Sequence, residues 1–251
     1  MKKIVVTGGS GRFGNLLKEY KTKYKIFFPK KVQLNILNPK NIKNYLAKKK
    51  PNILIHLAGL SRPMKLHEID IKKSIDLNII GTANITKACS EKKIKLIYFS
   101  TNYVYPGLVG NYREIDPLLP VNNYAWSKLG GEASVQLYKN SLILRACMTE
   151  KPFVHDKAFK NVKTSFMYHE DAVKVLFKLI NQKGIINLGG EPKFIFDFVK
   201  KDKKKIKKIF LKKTDALGMP FDSSLNIKKL KKIIKKRISL KIIKLNLKKS
   251  T

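Results

Sequence analysis

The chain has 251 residues, 43% of them hydrophobic, which suits one large α/β domain or one domain with a small lobe. Its net charge of +37 is typical of proteins that bind nucleic acid or a membrane surface. We favour biased codon usage as the cause, because Lys, Ile and Asn are all abundant. In addition, Lys far outnumbers Arg, although Arg binds phosphate and guanine better than Lys does and would be expected in a nucleic-acid-binding protein.

Targeting and metal-binding features are not expected. The two cysteines, Cys89 and Cys147, lie in apolar surroundings without metal-ligand spacing, which argues against a disulfide framework or a metal site and fits a reducing cytoplasm. The apolar run near the start, "IVV", is too short for a signal peptide, and no stretch is long enough for membrane insertion.

Apolar strands alternate with helices along the first part of the chain. "KKIVVTGG" predicts a strand, "GRFGNLLKEYKTK" a helix, "YKIFFP" a strand, "NPKNIKNYLAKKK" a helix capped by Asn38 with Pro39 in its first turn, and "PNILIHLAG" a strand. A long helical stretch, "HEIDIKKSIDLNIIGTANITKACSEKK", precedes the fourth strand, "IKLIYFST". His56 lies inside the third strand, so we expect a buried, hydrogen-bonded core residue there.

The alternation continues after Lys128. "LGGEASVQLYKN" predicts a helix, "SLILRAC" a strand, "EDAVKVLFKLINQ" a helix and "GIINLGG" a short strand. Such alternation predicts a parallel sheet covered on both faces. The last segment, "IKKLKKIIKKRISLKIIKLNLKKST", fits either an amphipathic helix against an acidic or membrane surface, or a terminal helix with a loose tail, and we favour the second.

The segment "TGGSGRFG" places Gly8, Gly11 and Gly14 between the first strand and the first helix. A pyrophosphate would lie against backbone N–H groups at the helix N-terminus, and a side chain at Gly8 or Gly11 would block it. Gly14 would let the helix pack closely on the sheet. The alternative is a glycine-rich turn without a ligand. The cofactor-binding residues expected here are Gly8, Ser10, Gly11, Arg12, Phe13 and Gly14.

The region after the second strand, "IFFPKKVQLN", indicates which dinucleotide would bind. An acidic residue there usually holds the adenosine ribose of NAD. The chain has Lys30 and Lys31 instead and no carboxylate, which would suit a ribose 2′-phosphate. We therefore favour NADPH over NADH.

Thr101 ends the fourth strand, and "NNYAWSKLGGE" follows with Tyr124 and Lys128 on one helix face. A phenol has a pKa of about 10, and a cation beneath its ring would lower it. We expect Lys128 to do so and also to bind the nicotinamide ribose, Thr101 to hydrogen-bond a substrate carbonyl, and Tyr124 to give it a proton. The Tyr–Lys spacing alone decides nothing in so lysine-rich a chain.

Together, "TGGSGRFG", "LIHLAG", "LNIIGTANITKAC", "YFSTNYVY" and "NNYAWSKLGGE" resemble the extended short-chain dehydrogenases/reductases. "FFPKKVQLNILNPKNIKNYLAKKKPNILIHLAG" and "MPFDSSLNIKKLKKI" are similar to the dTDP-4-dehydrorhamnose reductase branch. The resemblance implies an α/β fold: a Rossmann-type doubly wound parallel sheet with a small C-terminal substrate lobe. It also implies a nucleotide-linked 4-keto-6-deoxysugar as substrate, and the catalytic residues Thr101, Tyr124 and Lys128.

Further roles follow from the resemblance. It places Leu57, Ala58 and Gly59 along the cofactor, Asn78 in support of the site, and Asp171 at the start of a helix. We also assign Asn78, Tyr124 and Lys128 to cofactor binding. We assign substrate binding to Ser61, Asn102 and Tyr103. The expected division is residues 1–145 plus 168–190 for the dinucleotide-binding domain, 146–167 and 191–235 for a shortened substrate lobe, and 236–251 for a basic tail.

Three features depart from the family pattern. Asn102 replaces an acid in "STNYVY", Met219 replaces an arginine in "GMPFDSS", and only "VHDKAFKNVK" remains where the family places a helix over the sugar nucleotide. The family's arginine at the position of Met219 is expected to bind nucleotide phosphates. Because of these departures, the nucleotide-sugar pocket has three alternatives: it is smaller than in the family, more open, or differently built.

Four functions are compared. The first is a cytoplasmic NADPH-dependent reductase, or epimerase–reductase, that acts on a nucleotide sugar in polysaccharide biosynthesis. Such an enzyme would bind no nucleic acid, and one option is that it forms a homodimer. The second is an epimerase, dehydratase or reductase of the same fold acting on another carbonyl compound. The third is a non-catalytic NADP-binding regulatory subunit, since the family includes one of methionine adenosyltransferase. The fourth, a nucleic-acid binder, is suggested by charge alone.

Overall fold

The computed structural model describes residues 1–212 and 219–236. Its first half contains Lys3–Thr7 (β1), Arg12–Glu19 (α1), Lys25–Phe27 (β2), Pro39–Lys49 (α2), Ile53–His56 (β3), Leu66–Ile69 (α3), Ile71–Ser74 (α4), Gly81–Glu91 (α5) and Lys95–Thr101 (β4). The second half contains Asn123–Gln136 (α6), Ser141–Ala146 (β5), Met148–Thr149 (β6), Lys157–Phe159 (β7), Lys163–Thr164 (β8), Met167–Tyr168 (β9), His169–Leu179 (α7), Gly184–Leu188 (β10), Lys193–Phe194 (β11), Ile195–Val199 (α8), Lys207–Ile209 (β12) and a helix over residues 228–236 (α9).

Six strands form a parallel sheet in the order β10-β5-β4-β3-β1-β2. Successive residues of β1 face opposite sides: Ile4 and Val6 belong to one core cluster and Val5 to the other. Both faces are therefore buried under helices, as an apolar parallel sheet requires. The predicted Rossmann-type doubly wound fold is confirmed.

Side-chain caps begin two of the predicted helices. The Asn38 side chain accepts a hydrogen bond from the N–H of Asn41 at 2.9 Å, with Pro39 in the first turn of α2. The Asn122 side chain accepts one from the N–H of Ala125 at 2.8 Å and so begins α6 one residue before Tyr124. Both the cap at Asn38 and the position of Pro39 agree with the sequence-based expectation.

The predicted long helix before β4 is wrong in its continuity. It breaks at Asp70, where φ is −133° and ψ is 68°, and the Asp70 carboxylate accepts a hydrogen bond from the N–H of Lys73 at 2.9 Å. A short polar side chain that bonds the backbone ahead of it starts a new helix, here α4. A π-helical turn, Ile75–Ile80, then joins α4 to α5.

A third, smaller core cluster lies away from the sheet. Its buried members come from two parts of the chain, before β8 and after β11: Phe153, Ala158, Val162, Ile195, Val199, Ile206 and Leu211. Short strand pairs, β7 with β12 and β8 with β11, connect the same two parts. Residues 150–166 contain no helix. Of the predicted basic tail, residues 237–251 lie outside the described residues.

Candidate active site

The turn between β1 and α1 requires glycine at Gly8. Its φ is +72°, and a Cβ there would lie 2.5 Å from the backbone N of Ala58 and 2.6 Å from the carbonyl carbon of Leu57. The Gly11 N–H donates to the Gly8 carbonyl oxygen at 3.0 Å, and a Cβ on Gly14 would lie 2.7 Å from that same oxygen. The turn thus presses against the end of β3 and leaves the start of α1 open towards the groove described below.

Asn78 ties the loop after β3 to α6. Its side-chain oxygen accepts from the N–H of Leu60 at 2.7 Å, and its amide donates to the Leu60 carbonyl at 2.9 Å and to Ser127 Oγ at 2.8 Å. A Cβ on Gly59 would lie 2.6 Å from this side-chain oxygen. Asn78 therefore fixes the loop rather than facing the groove, and Ser127, beside Lys128 in the chain, is a supporting residue that the sequence analysis missed.

A single groove of about 1550 Å³ runs from the glycine turn, past the ends of β3 and β4, to the small third cluster. All the predicted cofactor, catalytic and substrate residues line it except Asn78, which lies behind its wall. Parallel strands present their carboxyl ends at one sheet edge, where ligands of such folds collect. The predicted residues are therefore brought together, although they are spread over the chain from Gly8 to Lys128.

Thr101 and Tyr124 meet in this groove. Burial raises the pKa of Tyr124, and a hydrogen bond with Thr101 and the charges of Arg62 and Arg12 lower it only in part. The predicted lowering of this pKa by Lys128 is wrong, because burial dominates and the nearby cations are the two arginines. The phenol is consequently protonated at neutral pH.

The ammonium of Lys128 lies over a different ring from the predicted one. Its Nζ is 4.2 Å from the ring centroid of Tyr98, whose hydroxyl donates to the Lys128 carbonyl at 3.0 Å. Burial lowers the pKa of Lys128 to about 7, although the Glu132 carboxylate raises it. Lys128 therefore titrates in the neutral range, as groups at functional sites often do.

The three residues assigned to the substrate differ in their environments. Ser61 is exposed on the groove, whereas Asn102 is buried and its amide donates to Ser223 Oγ at 3.0 Å and to the Ser223 carbonyl at 3.2 Å. Asn102 thus holds the segment before α9 against the end of β4. Burial raises the pKa of Tyr103 to about 12.

Arg62 and Glu150 were not identified from the sequence. Arg62, in the loop after β3, and Arg12, at the start of α1, both donate to Glu150 Oε1, the Arg62 contact at 3.1 Å. All three residues line the groove. Since Arg62 and Glu150 are 88 positions apart, no local pattern could have indicated the contact.

The opposite end of the groove, near β2, is positively charged. It is lined by Lys18, Lys30 and Lys31. Among the described residues that line the groove, the only acidic ones are Glu68, which follows the loop after β3, and Glu150, which follows β6.

The described residues bring together no group of three or more His, Cys, Asp or Glu that could hold a metal ion. Among the helices that the structure describes, none has the length and hydropathy of a bilayer-spanning segment.

His56 is buried, as expected. Its Nδ1 lies 2.7 Å from Thr7 Oγ1 and its Nε2 lies 3.2 Å from Thr82 Oγ1. Burial lowers its pKa to about 3, so the ring is neutral. It joins β1, β3 and α5 behind the groove.

Known proteins share this fold and parts of this sequence. A dTDP-4-dehydrorhamnose reductase from Bacillus anthracis str. Ames, solved in complex with NADP, superposes with a TM-score of 0.80 at 23% identity, over 92% of this chain and 91% of that one. Methionine adenosyltransferase 2 subunit beta of Pongo abelii is 28% identical over 185 residues, 70% of this chain and 52% of that protein. A dTDP-D-glucose 4,6-dehydratase of Dictyostelium discoideum is 31% identical over 59% of this chain and 43% of its own length.

The chain spans about half the length of these curated relatives. The profile of the RmlD substrate binding domain matches residues 1–183, which is well over half of the chain. That match and the shared fold confirm the predicted resemblance to the extended short-chain dehydrogenases/reductases of the dTDP-4-dehydrorhamnose reductase branch. The chain belongs to the RmlD substrate binding domain family.

Proposed function

We propose that the protein is an NAD(P)H-dependent reductase of a nucleotide-linked 4-keto-6-deoxysugar. The observation that carries the proposal is the hydrogen bond between Thr101 and Tyr124 in the groove that begins at the glycine turn, which Lys128 also lines. The family and the fold of the Bacillus anthracis reductase support the same reading. We assign the three residues the catalytic roles and the cytoplasm as the site of action, in sugar-nucleotide and polysaccharide biosynthesis.

The turn fits a dinucleotide. The backbone of Gly8, Ser10, Gly11, Arg12, Phe13 and Gly14 would hold the pyrophosphate at the start of α1, while the Arg12 side chain is directed at Glu150. Leu57, Ala58 and Gly59 would lie along the cofactor, which supplies a hydride. Gly8 and Gly14 allow the backbone to approach closely enough to form the turn. Lys30 and Lys31, exposed and without a carboxylate beside them in the groove, favour a 2′-phosphate and hence NADPH over NADH.

The protonation states suit reduction. A reductase must deliver a proton to the oxygen that forms as hydride reaches the carbonyl carbon. The raised pKa of Tyr124 keeps that proton on the phenol at neutral pH, and Thr101 orients the phenol. Lys128, with a pKa of about 7, can hold a proton or release it at neutral pH, and we assign it the return of a proton to Tyr124 after turnover.

We assign the substrate to the far end of the groove. Ser61 and Tyr103 would contact it, while Asn102 would act by positioning. Residues 146–167 and 191–235 would form the substrate lobe around the third core cluster, and residues 1–145 plus 168–190 the dinucleotide-binding domain. Assembly as a homodimer is part of the proposal. The lobe lacks a helix over residues 150–166, so the sugar nucleotide would bind in a more open site.

A second candidate is a subunit that binds NADP and assembles with another protein. It is favoured by the likeness to methionine adenosyltransferase 2 subunit beta. A dehydratase or epimerase is a third, favoured by the likeness to a dTDP-D-glucose 4,6-dehydratase. All three need the glycine turn, but only the enzymes need Tyr124.

The test is NADPH oxidation with dTDP-4-dehydrorhamnose, followed by absorbance. We expect turnover in the wild type, loss of at least a hundredfold in Tyr124→Phe, and an unchanged NADPH affinity in that variant, since general acid catalysis contributes roughly 10²–10⁴-fold. Trp126→Phe, an exposed change on the same helix, is the control. NADPH binding without turnover on this sugar would favour the subunit, and turnover that survives in Tyr124→Phe would contradict the proposed mechanism.

A further inference from the structure

One ionic cluster in the groove has no part in the proton transfer described above. The carboxylate of Glu150, just after β6, lies between the guanidinium groups of Arg12 and Arg62. The two arginine side chains are 47% and 44% exposed, whereas that of Glu150 is 15% exposed. The arginines thus reach Glu150 from two different elements while remaining open to solvent.

The cluster is unbalanced in charge and in hydrogen bonding. Both arginines donate to the same oxygen, Oε1, while Oε2 is buried without a hydrogen-bond partner among the described residues. Although burial raises it, a hydrogen bond of its own backbone N–H and the charges of Arg62 and Arg12 hold the pKa of Glu150 below its ordinary value. One carboxylate therefore faces two cations, and the cluster retains one positive charge.

Arg62 brings this positive charge close to the part of the groove where we propose that the reaction occurs. Its charge acts on the phenols of Tyr124 and Tyr103, which come from α6 and from the end of β4. The glycine turn lies on the other side of the cluster, next to Arg12. A paired guanidinium fork at this place matches a phosphoryl group better than it matches a neutral sugar.

We propose that Arg62 and Arg12 form a binding site for the diphosphate of a nucleoside-diphosphate substrate, and that Glu150 occupies this site until the substrate replaces it. The inference rests on the proposed function, because it names the anionic part of that substrate. Glu150 thus competes with the substrate for the two arginines. Without substrate, its carboxylate holds the two guanidinium groups apart from each other and in place. When the diphosphate enters, the contacts between Glu150 Oε1 and the guanidinium groups break. Removing its charge should strengthen anion binding, whereas removing Arg62 should weaken it.

Inorganic pyrophosphate is the probe, titrated calorimetrically into the 251-residue chain with NADPH at saturation. We expect binding in the wild type, a loss of about tenfold in Arg62→Gln, and a gain of about threefold or more in Glu150→Gln, since a like charge beside an anion opposes its binding. Lys65→Gln is the matched control, because Lys65 is an exposed cation lining the same groove. It should change the affinity less than about twofold, as exposed charges are screened.

Several outcomes would overturn the inference. They are no binding of pyrophosphate, unchanged binding in Arg62→Gln, or weaker binding in a Glu150→Gln protein that unfolds at the wild-type temperature. Pyrophosphate that binds only when NADPH is left out would also overturn it, because that result would assign the site to the cofactor. The proposed function fails separately if NADPH itself does not bind. In that case the same titration without nucleotide still decides whether the two arginines hold a diphosphate.

Discussion

Glu132→Gln tests the buried ion pair that supports α6. Glu132 is fully buried, and its Oε1 accepts from Arg145 Nη2 at 2.7 Å and from Arg145 Nε at 3.1 Å. The substitution preserves the side-chain shape but leaves the guanidinium without its counter-charge. Removing one partner of a buried pair costs about 3–5 kcal/mol.

Two further bonds of Arg145 place the expected cost at the lower end of that range. Its Nη1 donates to the Tyr105 hydroxyl at 2.8 Å and to the Glu114 carbonyl at 3.0 Å, and both survive in Glu132→Gln. We therefore expect a loss of about 3 kcal/mol in the free energy of unfolding. For a chain of this size that corresponds to a melting temperature lowered by roughly 6–12 °C.

Thermal unfolding followed by circular dichroism measures this change. Asp76→Asn is the control, because the Lys72–Asp76 ion pair is exposed by 86% and 27%, and its loss should leave the melting temperature close to that of the wild type. Replacing both members of the buried pair, as Glu132→Leu with Arg145→Met, should recover much of the stability. A Glu132→Gln protein within about 1 kcal/mol of the wild type would refute the reasoning.

Three further predictions concern the groove. Because burial lowers the pKa of Lys128 from 10.5 to about 7, the unfolded chain binds a proton that the folded protein lacks between these values. The free energy of unfolding, measured by urea titration at several pH values, should therefore rise with pH from about 7 towards 10.5, and less so in Lys128→Met. Gly8→Ala should cost more than about 2 kcal/mol and weaken NADPH binding, whereas Gly184→Ala, with a similar φ of +78° but open space around it, should cost only about 1 kcal/mol by thermal unfolding. Lys30→Gln with Lys31→Gln should weaken NADPH binding about tenfold in fluorescence titrations and leave NADH binding unchanged, because only NADPH carries the 2′-phosphate.

The fold could be predicted because its signals are local. The strand–turn–helix from β1 to α1 is encoded in adjacent residues, and the caps at Asn38 and Asn122 lie within four residues of the N–H groups that they accept. The break at Asp70 also has a local cause, its hydrogen bond from Lys73. That cause was missed because the apolar periodicity continues across the break, and one capping aspartate does not interrupt it.

The structural role of an individual site residue is harder to predict from the sequence than the fold is. Gly8 was expected to admit a pyrophosphate, yet its immediate neighbours are Leu57 and Ala58, about fifty positions later in the chain. The position of the Lys128 ammonium over Tyr98 likewise depends on how α6 packs on β4. Contacts between distant segments are set by packing, so spacing within one motif does not reveal them.

The electrostatics of the groove bear on the choice between an enzyme and a cofactor-binding subunit. A subunit that only holds a dinucleotide needs the glycine turn and a cationic end, which Gly8 and Lys30 could supply. It has no need of a half-buried phenol with a raised pKa on the same helix as a lysine whose pKa is about 7. The shift at Lys128 costs stability at neutral pH, since burial disfavours the ammonium that water favours, and perturbed pKa values concentrate at functional sites. Tyr124 and Lys128 share one helix face in the groove, so this arrangement favours an enzyme.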